Sequence, residues 1–560
     1  MERAGNPLPL GRLEKLRESR AKNKPWDQLV AEMLQATGHS TDNPAVGYYL
    51  RDRNMQLDNF SNTMQVFLGQ QIGCAQCHDH PFDDWTQYEY YQMASFGGGM
   101  QYRSEDVQQV MKKAAKDLYL EEHGEALDED APKGGKGGQK KDWREQQAFF
   151  RKISHELQPI FNQIAKNGIT EQADSQLKLP KDYKYKDAKP GDVVPPETLF
   201  GPKLKDVAAE DRKQVFAQWV TSPENPYFTK TIVNRTWHRI FGYPLLDSLD
   251  NLSKTSKTAH PKVLALLENA MQQCDYDLRQ FSRILYRTQL FQRACMKEES
   301  APGEPILFQG MVLRRMSAEQ LFDSFLVLRA GEVDDKPSPN LRASWDGYVQ
   351  MVDAAFKSEA HELMRMAESA KQGEERFVKA RSAFKLAREA LSAASSSKER
   401  ADAQVAFNQA RKEFDEARDQ TNPLRSMMEM NPGGKGQGED WARASELPAP
   451  FNPGTLMREF GGSDRATPSS SHAEATVPQA LILMNNWKTD LLGGAKSRLV
   501  EGLRKQDSAE GRLDLLFLTL FSERPAATEK QKYLPMAKDI TSLRDLATAM
   551  VNSKRFLYIQ

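Results

Sequence analysis

Apolar side chains in this chain recur at intervals of three and four far more often than at two. In residues 25–34, PWDQLVAEML, the positions Trp26, Leu29, Val30, Met33 and Leu34 fall on one helical face, with Pro25 suited to the first turn. In NFSNTMQVFLGQQIGCAQC, Phe60, Met64, Phe67, Leu68 and Ile72 repeat the spacing, and Ser61 or Asn62 can cap the helix start. Helical patterning returns after Asp211 with Val215, Phe216, Trp219 and Val220, and continues in PKVLALLENAMQQ and LRQFSRILYRTQLF. No alternating stretch of comparable length exists, so the expected fold class is mainly α, built as multi-helix globular domains.

The clearest periodic signal spans residues 377–417. Phe377, Ala380, Phe384, Ala387, Leu391 and Ala394 alternate by three and four, SSSK interrupts, and Ala403, Phe407, Ala410, Phe414 and Ala417 resume the pattern. This predicts an inserted antiparallel helical hairpin, a coiled-coil arm whose alanines allow close approach and which serves structure or a protein partner. Two stretches break the pattern. Residues 121–145 mix dense charge with Gly and Pro and read as a surface loop; residues 184–204, KYKDAKPGDVVPPETLFGPKL, read as irregular. The run GGKGGQKK lacks Walker spacing and follows no apolar strand, so a phosphate loop is not expected. These breaks divide the chain into 1–100, a charged linker and insert at 101–205, a helical unit at 206–332, the hairpin insert at 333–450, and a last helical unit at 451–560.

Charge and hydropathy narrow the function classes. Among 560 residues, 77 Lys and Arg balance 77 Asp and Glu, which removes any global drive toward nucleic acid. The longest apolar runs, LDLLFLTLF and QALILM, fall short of the roughly 20 residues a bilayer requires, so no transmembrane segment is expected. The first residues carry Arg and Lys without a following apolar region, so no signal peptide is visible. Only four cysteines occur, and Cys274 and Cys295 are expected as buried free thiols.

The other two cysteines carry the chemistry. In GCAQCHDHPFDDW, Cys74, Cys77 and His78 form C-x-x-C-H, in which two thiols one turn apart can add to one porphyrin edge while the adjacent imidazole reaches the iron. Met64, Met93 and Met100 are the nearest distal ligands by sequence. Haem does not use His80 or Asp83, however, and Cys74, Cys77, His78, His80 and Asp83 together offer a ligand set for zinc or iron. A redox dithiol and a structural turn, with Asp79 and Asp83 as caps, are also open readings.

Other polar groups read as structure. Asn234, Arg235 and His238 share a helical face beside Trp237, and Ser317 with Gln320 forms a capping-box pattern. Arg314, Arg315, Glu319 and Asp323 are spaced to pair across turns. Asp464, Ser471 and His472 lie close in sequence without a nucleophile elbow, and neither His155-Glu156 nor His361-Glu362 is followed by a second histidine at zincin spacing.

The stretch FLGQQIGCAQCHDHPFDDWTQYEYYQMASF, with its C-x-x-C-H-x-H-x-F-D run and paired Tyr90 and Tyr91, resembles the C-terminal part of the cytochrome c-like domain of large planctomycete and verrucomicrobial proteins. QWVTSPENPYFTKTIVNRTWHRIFGYPLLD, RRMSAEQLFDSFLVLRAG, REFGGSDR, VPQALILMNN and DLATAMVNSKRFLYIQ resemble its usual partner domain of unknown function. The resemblance implies an extracytoplasmic, periplasmic or cell-surface protein with one covalent haem c at Cys74 and Cys77, and His78 as axial ligand. Electron transfer to a redox partner or a linked redox reaction follows from that. Alternatives are a metal-binding or interaction protein using the loop and the arm, and an accessory enzyme in polysaccharide breakdown.

Overall fold

The computed structural model describes residues 9–124, 138–252, 256–296, 306–331, 333, 339–419, 442–447, 451, 453–462, 476–485 and 497–559. The fold is mainly α, as the spacing predicts. Helix Trp26–Gln35 turns Val30 and Leu34 inward, with Pro25 as its N-cap residue. Helix Gln56–Leu68 buries Phe60, Met64, Phe67 and Leu68, and helices Arg212–Thr221, Phe228–Phe241 and Pro261–Gln273 follow the apolar spacing of their sequences. Among the described helices none is long and apolar enough to cross a membrane.

Two apolar clusters organise these helices. The first gathers residues from Val30 to Ala367, and the second gathers residues from Ala318 to Val551, including Leu513, Leu516 and Phe517 of the LDLLFLTLF run. Strand is confined to short pieces. Gly168–Glu171 pairs antiparallel with both Gly38–His39 and Met100–Gln101, while Arg314–Arg315 pairs antiparallel with Tyr558–Ile559. The two arginines therefore sit on a strand before helix Ala318–Ala330, whose start carries the predicted Ser317–Gln320 capping box.

The charged composition of 121–145 conceals two long helices on either side of it. Glu105–His123 and Gly138–Ala165 pack against each other, because Val107, Ala114, Ala115, Ile153, Leu157, Ile160 and Phe161 supply one apolar face; residues 125–137 of the expected loop lie outside the described residues. The arm forms as read. Its helices, Ala360–Ala393 and Ser397–Asp419, run antiparallel, with Phe377 against Phe414 at 5.4 Å and Phe384 against Phe407 at 5.3 Å. The first helix starts at Ala360 rather than Phe377, since Ala360, Leu363 and Ala367 join the first core and root the arm in it. Residues 431–440, NPGGKGQGED, and the stretch with Asp464, Ser471 and His472 lie outside the described residues.

Candidate functional site

The cysteine loop starts where helix Gln56–Leu68 is made to stop. Gly69 takes a left-handed conformation, φ 64°, so that its N–H caps the carbonyls of Met64 and Gln65. A side chain there would also collide with Leu252, whose Cγ lies 2.8 Å from the position of a Cβ. Leu252 in turn donates its N–H to the Gly69 carbonyl at 2.7 Å, which fixes the exit direction of the chain. Ile72, 1% exposed, then anchors a 3₁₀ turn, Gly73–Gln76.

In that turn Ala75 points inward, fully buried, while Cys74 and Cys77 are exposed free thiols. Side chains three apart eclipse in 3₁₀ geometry, which sets the two sulfurs on the same side of the turn. The Cys74 carbonyl accepts from the amides of Cys77 and His78, at 3.2 and 3.4 Å, so all three residues share one tight bend.

The two histidines that follow have opposite proton arrangements. His78 Nδ1 lies 2.7 Å from the Asp79 carbonyl oxygen. A carbonyl only accepts, so Nδ1 carries the proton and Nε2 keeps a free lone pair. His80 Nδ1 instead accepts from the amides of Phe82 and Asp83, at 3.3 and 3.0 Å, which places its proton on Nε2. His80 also closes the loop through its own N–H, which donates to the Trp85 carbonyl at 2.7 Å. It is a turn lock rather than an available ligand.

Asp79 serves as a cap. Its Oδ1 accepts the Gln87 amide at 2.8 Å, satisfying a first-turn donor of helix Gln87–Ala94, whose start also has a Thr86–Glu89 capping box. Its own amide donates to the Tyr185 hydroxyl at 2.7 Å. Gln87, buried, donates from Nε2 to the Gln76 carbonyl. Tyr90 and Tyr91 form the floor: the Tyr90 hydroxyl donates to the Leu57 carbonyl and meets Ser61 Oγ, both at 2.9 Å. Burial raises the pKa of both phenols, and the adjacent Cys77 adds to each. Phe82, at the tip, is 90% exposed.

The residues that sequence reading missed come from the irregular stretch. Tyr185 packs on Tyr183 at 5.5 Å, and Phe200 meets the Trp85 ring edge at 5.9 Å, so residues 183–200 form a wall against the loop. The tyrosines in KDYKYKD were their only sequence signal, and nothing local ties them to a loop about a hundred residues earlier.

Several candidate residues are not brought together. Met64 and Met93 are fully buried and Met100 is 7% exposed, so all three are core packing rather than groups facing the exposed thiols. Among the described residues no three His, Cys, Asp or Glu side chains converge as a metal-holding group; His80 Nδ1 and Asp83 Oδ2 stand 3.9 Å apart. Cys274 is a buried free thiol and Cys295 a partly exposed one, both with pKa raised by burial. Asn234 is a satisfied core amide: Oδ1 accepts from Leu245 and Leu246, and Nδ2 donates to Ser248. Arg235 pairs with Asp250 at 2.6 Å and reaches the Gln65 carbonyl, tying its helix to the one that ends at the cysteine loop.

Residues 14–101 match the PSCyt2 family, described as a protein of unknown function (DUF1549), and residues 212–537 match the PSD1 family, described as a protein of unknown function (DUF1553). Neither match is a cytochrome c identification; what they share with the resemblance read from the motifs is the order of the two domains. No curated protein and no solved structure matches the chain. With the second match covering more than half of its 560 residues, the chain belongs to the PSD1 family, preceded by a PSCyt2 segment that contains the cysteine-histidine loop.

Proposed function

We propose that the Cys74–Cys77–His78 loop attaches one haem c and that the protein serves electron transfer, or a haem-linked redox reaction, in an extracytoplasmic compartment. The observation that supports this most directly is the His78 tautomer. An axial histidine needs its Nδ1–H held by an acceptor so that Nε2 can face the iron, and His78 has that arrangement with the Asp79 carbonyl. The exposed thiols on one side of a single turn fit thioether formation. Each thiol would add its sulfur to one vinyl carbon and its proton to the other, which consumes no oxidant.

When bound, the group supplies a reversible one-electron change at iron. The chain's own residues hold the site still. Asp79 and Tyr185 fix the carbonyl and amide beside His78, His80 locks the turn after it, and Gln87 pins the turn before it. A pyridine haemochrome spectrum together with intact mass, on full-length protein from a host competent in cytochrome c maturation, tests the reading. A c-type spectrum and one haem of added mass are expected, and both should vanish in Cys74→Ser/Cys77→Ser. Colourless protein with two free thiols would overturn it.

A further inference from the structure

A chain of polar contacts runs from helix Phe228–Phe241, in the PSD1 segment, to the start of the cysteine loop, in the PSCyt2 segment. Asn234, fully buried, takes the amides of Leu245 and Leu246 on Oδ1, at 2.8 and 3.2 Å, and donates from Nδ2 to the Ser248 carbonyl at 2.9 Å. Residues 245–252 are thereby held against the helix. At the far end of that stretch Asp250 meets Arg235 at 2.6 Å, and Leu252 donates its N–H to the Gly69 carbonyl at 2.7 Å. The Arg235 guanidinium also reaches the Gln65 carbonyl, at 3.1 Å. Gln70, 3% exposed, donates in the opposite sense, from Nε2 to the Leu252 carbonyl.

The contacts that cross between the two segments end on Gln65, Gly69 and Gln70, just ahead of Cys74. Helix packing by itself asks only for apolar contact there. The Gln65 carbonyl is already satisfied by the Gly69 N–H at 3.1 Å, so the helix end does not need Arg235 as a cap. Asp250, in turn, is 5% exposed. A buried ion pair adds little net stability, because desolvating both charges offsets their attraction, whereas its fixed geometry can specify how two segments meet. The forked guanidinium suits that task, since it engages a carboxylate and a carbonyl at once.

We infer that Asn234, Arg235 and Asp250 are positioning residues for the cysteine loop: through residues 245–252 they set where Gly69 and Gln70 lie, and so the direction in which Cys74, Cys77 and His78 leave the helix. This rests on the reading of that loop as the functional site, and it holds whatever the thiols carry. It gives the PSD1 segment a task that neither family description assigns, which is to hold the chemistry of the PSCyt2 segment in place.

The test uses full-length protein with free thiols, carrying Cys74→Ser and Cys295→Ser so that a nitroxide label attaches at Cys77 while Cys274 stays buried. The label's electron paramagnetic resonance spectrum reports motion of the loop, and amide exchange over residues 70–80 and 509–521 is followed on the unlabelled chain. Arg235→Gln/Asp250→Asn removes both charges together. It should sharpen the spectrum and speed exchange over 70–80 by about fivefold, with helix Ala509–Phe521 in the second core unchanged. Gln70→Met, which keeps the side chain's length and removes its amide, should act in the same way and decides the matter if the charge variant does not fold. As a control, Arg411→Gln/Asp415→Asn, an exposed pair on the arm, should leave the loop as in the parent. Parent-like spectra and exchange in both site variants, equal acceleration over 509–521, or equal loosening in the control would each overturn the inference. Colourless protein would overturn the haem reading and leave these results standing.

Discussion

The cysteine loop and the helical arm are both short-range features of the sequence, yet they are held in different ways. The arm is supported mostly by itself: Phe384 stacks on Phe414 at 5.2 Å and meets Phe407 at 5.3 Å, and these partners lie a few turns away along one hairpin. Its outer positions face solvent, Leu386 at 65% and Val405 at 70% exposed. The loop is closed by its own hydrogen bonds, through the Cys74 carbonyl and His80, but it is placed by residues far away in sequence. Leu252, Tyr185 and Phe200 fix its start, its centre and its far side, and all three are distant in sequence. Periodicity is therefore a sufficient guide where a structure is local, whereas a motif of a few residues specifies chemistry without specifying what holds it.

If that contrast is right, damage below the loop is global and damage on the arm is local. Tyr90→Ala removes a ring that is 1% exposed and packs on Phe60 at 5.4 Å, and it should cost about 3–5 kcal/mol in denaturant unfolding, with loss of the loop's ordered turn. Gly69→Ala comes next. A side chain in a left-handed position, facing Leu252, should cost about 1–3 kcal/mol and lower the melting temperature without touching either thiol. If Gly69→Ala melts like the parent, the loop's entry is not set as described.

Tyr185→Phe sharpens the comparison at smaller scale. It removes the acceptor for the Asp79 amide, a change of about 0.5–1.5 kcal/mol, and should speed modification of Cys74 and Cys77 by a thiol reagent while leaving the arm's amide exchange unchanged. Equal rates in parent and variant would show that the distant wall does not steady the loop.

Acidification should act in the core beside the helix that precedes the arm. His39, 1% exposed, meets the Ile164 carbonyl and Tyr348, the latter on the helix before the arm. Burial lowers its pKa, against the opposing pull of that carbonyl and of Asp42 and Asp106. An unfolded histidine titrates near 6.5, so below about that pH the unfolded chain takes up a proton that the folded chain resists. Stability should therefore fall as pH drops from about 6.5 toward the lowered folded value, and this contribution should be absent above it. His39→Gln should flatten that part of a melting-temperature profile; an unchanged slope would assign it to other groups. The smallest effect belongs to Val405→Ala on the arm, within about 0.5 kcal/mol of the parent.

The sequence by itself determined the strongly periodic helices, the hairpin and the position of the reactive residues, but not the helices Glu105–His123 and Gly138–Ala165. Apolar spacing encodes which face of a helix must be buried, whatever it is buried against, and C-x-x-C-H is complete within one turn. It could not distinguish His78 from His80, both of which stand among possible ligands. Tertiary structure separated them, because the proton of each imidazole is placed by the backbone group it meets, a carbonyl for one and two amides for the other. It also moved Met64, Met93 and Met100 from candidate ligands to core, and turned an irregular stretch into a wall. Those outcomes depend on which distant segments pack together, and no local spacing carries that information.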